Sequence, residues 1–152
     1  MYKNYKIQPP FFEFGPKAYL FGEELLTLAI ALDRAAEKYD VDVIITPQYT
    51  DIRLVAERTR RLHVYAQHMD CLNPGRGLGS VLPEAVKAAG AVGVMLNHAE
   101  KKLAPEVIKR TVERADEVGL ATIVCADTIE EIEKVARMGP NLIVAEQTEL
   151  IG

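Results

Sequence analysis

The sequence predicts an α/β domain built on a parallel sheet. Three observations carry that expectation. Six short apolar runs recur along the chain, none of them alternates cleanly between apolar and polar residues, and the segments between them carry helix punctuation. Runs that do not alternate suit strands covered on both faces. Their starts lie roughly 20–30 residues apart, the length of one strand-plus-helix unit. Repeated right-handed units of this kind build either a doubly wound sheet or a barrel, and periodicity does not choose between them.

The runs are Phe11–Phe14, Val43–Thr46, Val64–Gln67, Val92–Leu96, Thr122–Cys125 and Leu142–Ala145. Behind the first, Leu25, Leu28, Ala29, Leu32, Ala35, Ala36 and Tyr39 form a stripe of helical period after the acidic turn Glu23-Glu24. Ser80 is placed to cap a short helix that stops at Gly90. Pro105 suits the first turn of a helix running to Gly119. Thr128 and Glu131 have capping-box spacing, and their helix ends at Gly139-Pro140. The sequence divides into an N-terminal tail, 1–10, and a single domain, 11–152.

The totals narrow the function classes. A chain of 152 residues buries roughly 70% of the surface its unfolded form exposes. A net charge of −4 argues against nucleic acid or an anionic membrane as partner. No window approaches 18 uninterrupted apolar residues, and the N-terminus lacks the pattern of a signal peptide. The two cysteines, Cys71 and Cys125, are too few for a disulfide framework. The expected location is cytoplasmic.

In both architectures ligands sit where strands end. The polar residues there are Lys17, Gln67-His68, Asn97-His98 with Glu100, Asp127 and Glu146. A Lys, a His and a Glu converging on one mouth can remove a proton beside a carbonyl. The Glu is then the base, the His polarises the carbonyl, and the Lys stabilises negative charge. The plainer reading is that loops are solvated and polar residues gather at every strand end.

Several longer stretches add to this: FGPKAY (14–19), ITPQ (45–48), YAQHMD (65–70), GSVLPEAVKAAGAVGVMLNHAE (79–100), RADEVGLATIVCAD (114–127) and VAEQTELIG (144–152). In these the chain resembles the triosephosphate isomerases, in particular the shorter archaeal-type forms and their bacterial relatives. The resemblance implies a TIM barrel with Lys17 as the substrate-binding lysine, His98 as the electrophile and Glu146 as the catalytic base. Asn97, Glu100 and Gln67 are then substrate-binding or supporting residues. Lys6, in Asn4-Tyr5-Lys6, is a rival for the lysine. The apolar run ahead of Lys17 and its distance from the second strand favour Lys17. The family's asparagine two residues before the lysine has no counterpart here, where Gly15-Pro16 precedes Lys17.

By the same resemblance Pro74, Gly75, Arg76 and Gly77 belong to a protruding loop that packs on a neighbouring subunit, rather than to a phosphate cradle. His68 and Cys71 lack the further cluster a metal would need, so neither metal nor cofactor is expected. His63 reads as structural and Cys125 as core. Gln147 stands where the family usually has a proline after the base. The family's lid continues past Gly152, and its last two strands, whose backbone N–H groups hold the phosphate, match nothing here. The sequence therefore predicts an incomplete (β/α)8 barrel of about six parallel strands, its edges covered by oligomerisation or a partner chain.

The function expected is isomerisation of a triose phosphate, aided by a complementing C-terminal chain, with the isolated chain nearly inactive. Two other readings stand beside it: a non-catalytic, self-assembling remnant, and an isomerase of a four-carbon sugar phosphate.

Overall fold

The computed structural model describes residues 7–151. Six strands form one sheet: β1 (Phe11–Phe14), β2 (Asp42–Ile45), β3 (Leu62–Ala66), β4 (Gly93–Leu96), β5 (Ala121–Ala126) and β6 (Leu142–Ala145). The helices are α1 (Gly22–Tyr39), α2 (Ile52–Arg58), α3 (Pro83–Ala88), α4 (Pro105–Val118) and α5 (Ile129–Met138). Short 3-10 turns lie at Tyr49–Asp51 and Thr148–Leu150. Each strand pairs in parallel with its sequence neighbours, in the order β1-β2-β3-β4-β5-β6.

That order decides between the two architectures left open by periodicity. A doubly wound sheet reverses direction at a switch point. This one never reverses, so every right-handed crossover steps the same way and leaves its helix on the same face. Strand twist then curls the sheet around its uncovered face into an open barrel segment.

Two cores follow from the curl. Ile45, Val64, Val94 and Val124 point outward onto Leu25, Val55, Ile108, Val112 and Val135 of the helices. Ile44, Tyr65, Met95 and Ile123 point inward and pack together with Ile7 and Cys125. Both faces of the central strands are apolar, which is why the runs do not alternate. Ile7 is 5% exposed and the Gln8 amide donates to Asp42 Oδ2 at 2.8 Å, so the segment before β1 lies against the sheet.

Several local signals are realised. Gly119 and Gly139 end α4 and α5 in the left-handed conformation, and the Thr128 hydroxyl accepts from the Glu131 amide at 3.2 Å. Others are displaced. The third helix starts at Pro83 behind Leu82, not at Ser80, because proline at its first position already lacks the unpaired N–H. Tyr39 closes the α1 stripe in solvent, 66% exposed, with the Lys38 ammonium 4.9 Å from its ring centre. α2, seven residues long, was not marked by any cap signal, and its side chains carry none. Lys6 lies outside the described residues.

The two outer strands, β1 and β6, are each paired on one side only among the described residues. Phe12 is 54% exposed and Val144 37%.

At the middle of the sheet, Gly93 lies under the Tyr65 ring. A Cβ there would stand 2.3 Å from the ring. Gly93→Ala should therefore lower stability by about 1–3 kcal/mol through overpacking. Urea unfolding of the two proteins checks this, and a loss under about 0.5 kcal/mol would mean the ring yields freely.

Candidate functional site

One-way winding brings every strand-to-helix loop to the same rim, and a cavity of about 430 Å³ opens there. Its lining includes Lys17 from the loop after β1, His98 and Glu100 after β4, and Glu146 after β6. Of the strand-end polar residues singled out in the sequence, these four, Gln67 and His68 line the cavity, whereas Asn97 and Asp127 do not.

His98 and Glu146 are in direct contact. His98 Nε2 lies 3.1 Å from Glu146 Oε1, and both side chains are largely buried. The Glu100 amide donates to His98 Nδ1 at 3.1 Å, which fixes the ring proton on Nε2, facing the carboxylate. The other carboxylate oxygen, Glu146 Oε2, accepts from the Ala99 amide at 2.9 Å. Glu146 is thus held at both oxygens by the loop that carries the histidine. The backbone amide of Glu146 continues the sheet ladder onto Ala126 O at 2.8 Å, fixing where the side chain starts.

Lys17 Nζ lies 2.6 Å from Glu100 Oε1. The hydrogen bond between them raises the lysine above its ordinary range and lowers the glutamate below its own. The ammonium stays charged, and the pair fixes its reach towards the cavity. Lys17 has φ of +51°, which costs a residue with a Cβ something on the order of 1 kcal/mol. Its carbonyl accepts from both Gln48 Nε2 and Gln67 Nε2 at 2.8 Å. Gln67 also donates to Thr46 O at 2.9 Å and accepts from Gln48 at 3.2 Å. The Gln67 amide is therefore occupied in shaping the lysine's backbone.

Asn97 is 1% exposed and has φ of +59°. Its Nδ2 donates to Cys125 O and to Glu131 Oε1, each at 2.9 Å, and its Oδ1 accepts from the Leu103 amide at 2.9 Å. Glu131 Oε2 in turn accepts from the Asp127 amide at 2.7 Å. This network ties the loop after β4 to β5 and α5, so Asn97 positions His98 from below. Asp127 Oδ1 accepts from the Thr148 amide at 3.2 Å, which anchors the turn after Glu146, and the Thr148 side chain together with that amide holds the Asp127 carboxyl below its usual range.

The protruding loop 71–80 is closed at its base. Asp70 and Val81 exchange backbone and side-chain hydrogen bonds at 2.9 and 2.7 Å, and Arg114, which also pairs with Glu84, donates to Leu72 O at 3.2 Å. Its tip, including Pro74, Gly75, Arg76 and Gly77, is exposed. His68 is buried against Asp70 Oδ1 at 3.2 Å, and burial holds its imidazole below the usual range. Among the described residues no three His, Cys, Asp or Glu side chains converge as a metal site. His63 opens β3 and meets Asp42 Oδ1 at 3.2 Å. Burial pushes the Cys125 thiol up to about 12, so it does not serve as a nucleophile.

Among the lining residues that went unremarked in the sequence, Gln48 and Glu13 bear on the site. Gln48 lies within a quoted stretch, but only the fold shows its target, a carbonyl 31 residues away. Glu13 is the one carboxylate within the run FFEF, and strand parity places it on the same inner face as Phe11. Its Oε1 accepts from Thr46 Oγ1 at 3.2 Å. Burial pushes its pKa up, the Thr46 hydrogen bond opposes that rise, and the charge of Glu146 adds to it.

Comparison with known proteins is consistent over nearly the whole chain. The family model described as Triosephosphate isomerase matches residues 16–150. The triosephosphate isomerase of Methanobacterium bryantii is 40% identical over 138 residues, covering 90% of this chain and 61% of that protein. That of Sulfurisphaera tokodaii is 36% identical over 148 residues, covering 96% of this chain and 64% of that protein. The chain thus spans about three fifths of the length of these relatives. The crystal structure of triosephosphate isomerase from Bartonella henselae superposes with a TM-score of 0.74 at 17% identity, covering 90% of this chain and 66% of that one, a likeness of fold.

Two predictions follow from the geometry. Asn97→Ala leaves the Leu103 amide without its acceptor and puts alanine in the left-handed region. It should cost about 1–3 kcal/mol in urea unfolding, with amide resonances of residues 98–103 shifting most. For Glu13, the folded pKa lies above the unfolded value of about 4.3, so the fold retains a proton that the unfolded chain releases. The resulting cost is absent below about pH 4 and complete once pH passes the raised folded value. Glu13→Gln should therefore unfold later than the parent at pH 8, with the gap closing at pH 4. A gap that widened towards acid would reverse the sign and the reading.

Proposed function

The chain belongs to the triosephosphate isomerase family, and on that premise we propose that Lys17, His98 and Glu146 carry out aldose–ketose isomerisation of a triose phosphate. The observation that carries this reading is the 3.1 Å contact between His98 Nε2 and Glu146 Oε1, with Nδ1 already committed to the Glu100 amide. A carboxylate base and a ring N–H are thereby set side by side at one mouth. Substrate entering between them replaces one contact by two. Glu146 takes the proton from the carbon beside the carbonyl, and His98 Nε2–H donates to the carbonyl oxygen. The enediolate that forms is stabilised by the Lys17 ammonium, whose position Glu100 fixes. A proton then passes from the substrate hydroxyl to the former carbonyl oxygen by way of His98 Nε2, and Glu146 returns its own proton to the former carbonyl carbon, which exchanges aldehyde and ketone with no net redox change. No cofactor takes part.

Phosphate binding falls to the two strand–helix units that complete an eight-unit barrel, and activity requires them. We propose that a complementing polypeptide supplies them, and that without it copies of the chain associate through the open edges of β1 and β6. The loop from Pro74 to Gly77 takes part in a subunit interface, and the assembly works in the cytoplasm. Asn97, Glu100 and Gln67 act on substrate through the side chains they hold.

The test is to mix this chain with a polypeptide supplying the last two units and assay glyceraldehyde 3-phosphate and dihydroxyacetone phosphate interconversion. Activity is expected in the mixture and not in either part. Glu146→Gln should lower kcat by about 10²–10⁴ without weakening association. An inactive but tightly associated mixture favours a non-catalytic assembly. Conversion of tetrose phosphates in preference to triose phosphates would move the substrate by one carbon.

A further inference from the structure

The inner face of β1 presents Glu13 to the cavity, on a wall otherwise built from Met95, Cys125, Val144 and Thr46. A carboxyl among such neighbours is expensive to bury and needs a partner. The partner the structure shows is the Thr46 hydroxyl, at 3.2 Å from Oε1. The strand makes room for this pair. A Cβ on Gly15 would stand 3.3 Å from Glu13 Oε1 and 3.5 Å from Thr46 Oγ1, a tight fit against both polar atoms. Glycine at 15 and threonine at 46 thus hold the Glu13 carboxyl where it lines the same cavity as Lys17, His98 and Glu146.

We propose that Glu13 is a specificity-determining residue, whose carboxyl hydrogen-bonds the hydroxyl of the substrate at the end away from the phosphate. The inference rests on the isomerase reading. It names the residue that recognises the hydroxyl, carried on the carbon beside the carbonyl, that the isomerisation itself requires. With the substrate carbonyl at His98 Nε2 and its phosphate towards the completing strands, the other end of a short sugar phosphate points into the wall. Glu13 and Thr46 are the polar groups that wall offers. An inward charge on an outer strand also discourages edge-to-edge pairing. That second role makes no use of the cavity and would leave ligand preference untouched.

The experiment compares dihydroxyacetone phosphate with hydroxyacetone phosphate, which differs by that one hydroxyl. Both are titrated into the chain complemented by the last two units, with Glu146→Gln introduced throughout to stop turnover. The background protein should prefer the hydroxylated ligand by about tenfold, a factor typical of one charged hydrogen bond. Adding Glu13→Ala should reduce the preference to under threefold. Adding Glu13→Gln, which keeps a donor and an acceptor, should retain most of it. Gly15→Ala, which crowds the carboxyl without removing it, should fall between. A preference unchanged by Glu13→Ala overturns the assignment while leaving the isomerase reading intact. Failure of the background protein to bind either phosphate ester overturns both.

Discussion

Everything in this molecule depends on the strands stepping in one direction only. Six parallel strands paired in sequence order put all helices on one face and all strand C-terminal ends on one rim. Lys17 and Glu146 are far apart in the chain, yet they share a cavity because β1 and β6 end at the same level. The register does the rest. Phe14 is level with Ile45, and Ala126 with Ala145, so the residues following them emerge together. No local sequence preference specifies this convergence. It follows from the handedness of each crossover and the apolarity of both strand faces.

Against that apolar framework the site departs from low-energy choices at three places. Lys17 and Asn97 sit in the left-handed region, and Glu13 places a carboxyl on an inner wall. Each departure has its own hydrogen-bonding support. Two glutamine amides hold the Lys17 carbonyl, three hydrogen bonds engage the Asn97 amide at both its nitrogen and its oxygen, and a threonine hydroxyl meets Glu13. Backbone strain of this kind persists only where the surroundings over-determine it. Of the three non-glycine residues in the left-handed region among the described residues, Asp40 closes α1 and the other two, Lys17 and Asn97, lie in the loops that carry the site, which marks those loops as shaped for something other than stability.

What the sequence showed of this follows the same division. Apolar runs and glycine caps are local signals, and they located the strands and the ends of α4 and α5. Ser80 misled because a side chain able to cap does not do so when proline three residues on already removes the need. α2 was silent because seven residues are too few for a periodic stripe to stand out. The residues His98, Lys17, Glu100 and Glu146 were legible because strand ends are where polar side chains acquire meaning. Gln48 and Gln67 were not, as holders of Lys17, because their partner is a backbone carbonyl and any residue supplies one. Glu13 was hidden inside a strand that reads as apolar, and only the parity of β1 turns it towards the cavity rather than the helices.

The open edges and the half-built site are one problem. β1 and β6 are the outer strands, and they are also the strands that deliver Lys17 and Glu146. β6 reads LIVA, with no charge or proline to discourage pairing, and β1 carries only Glu13 against it. Such strands are written as interior strands. Phe12 faces away from the inner cluster and is 54% exposed, so β1 calls for cover on its helix side as well as along its edge. Any segment that pairs with both edges must run between the lysine and the base, closing the rim of the cavity from the side on which it is open. Completion of the sheet and completion of the site are therefore the same event. Cover over Phe12 and Val144 would, through that geometry, also wall the open side of the pocket.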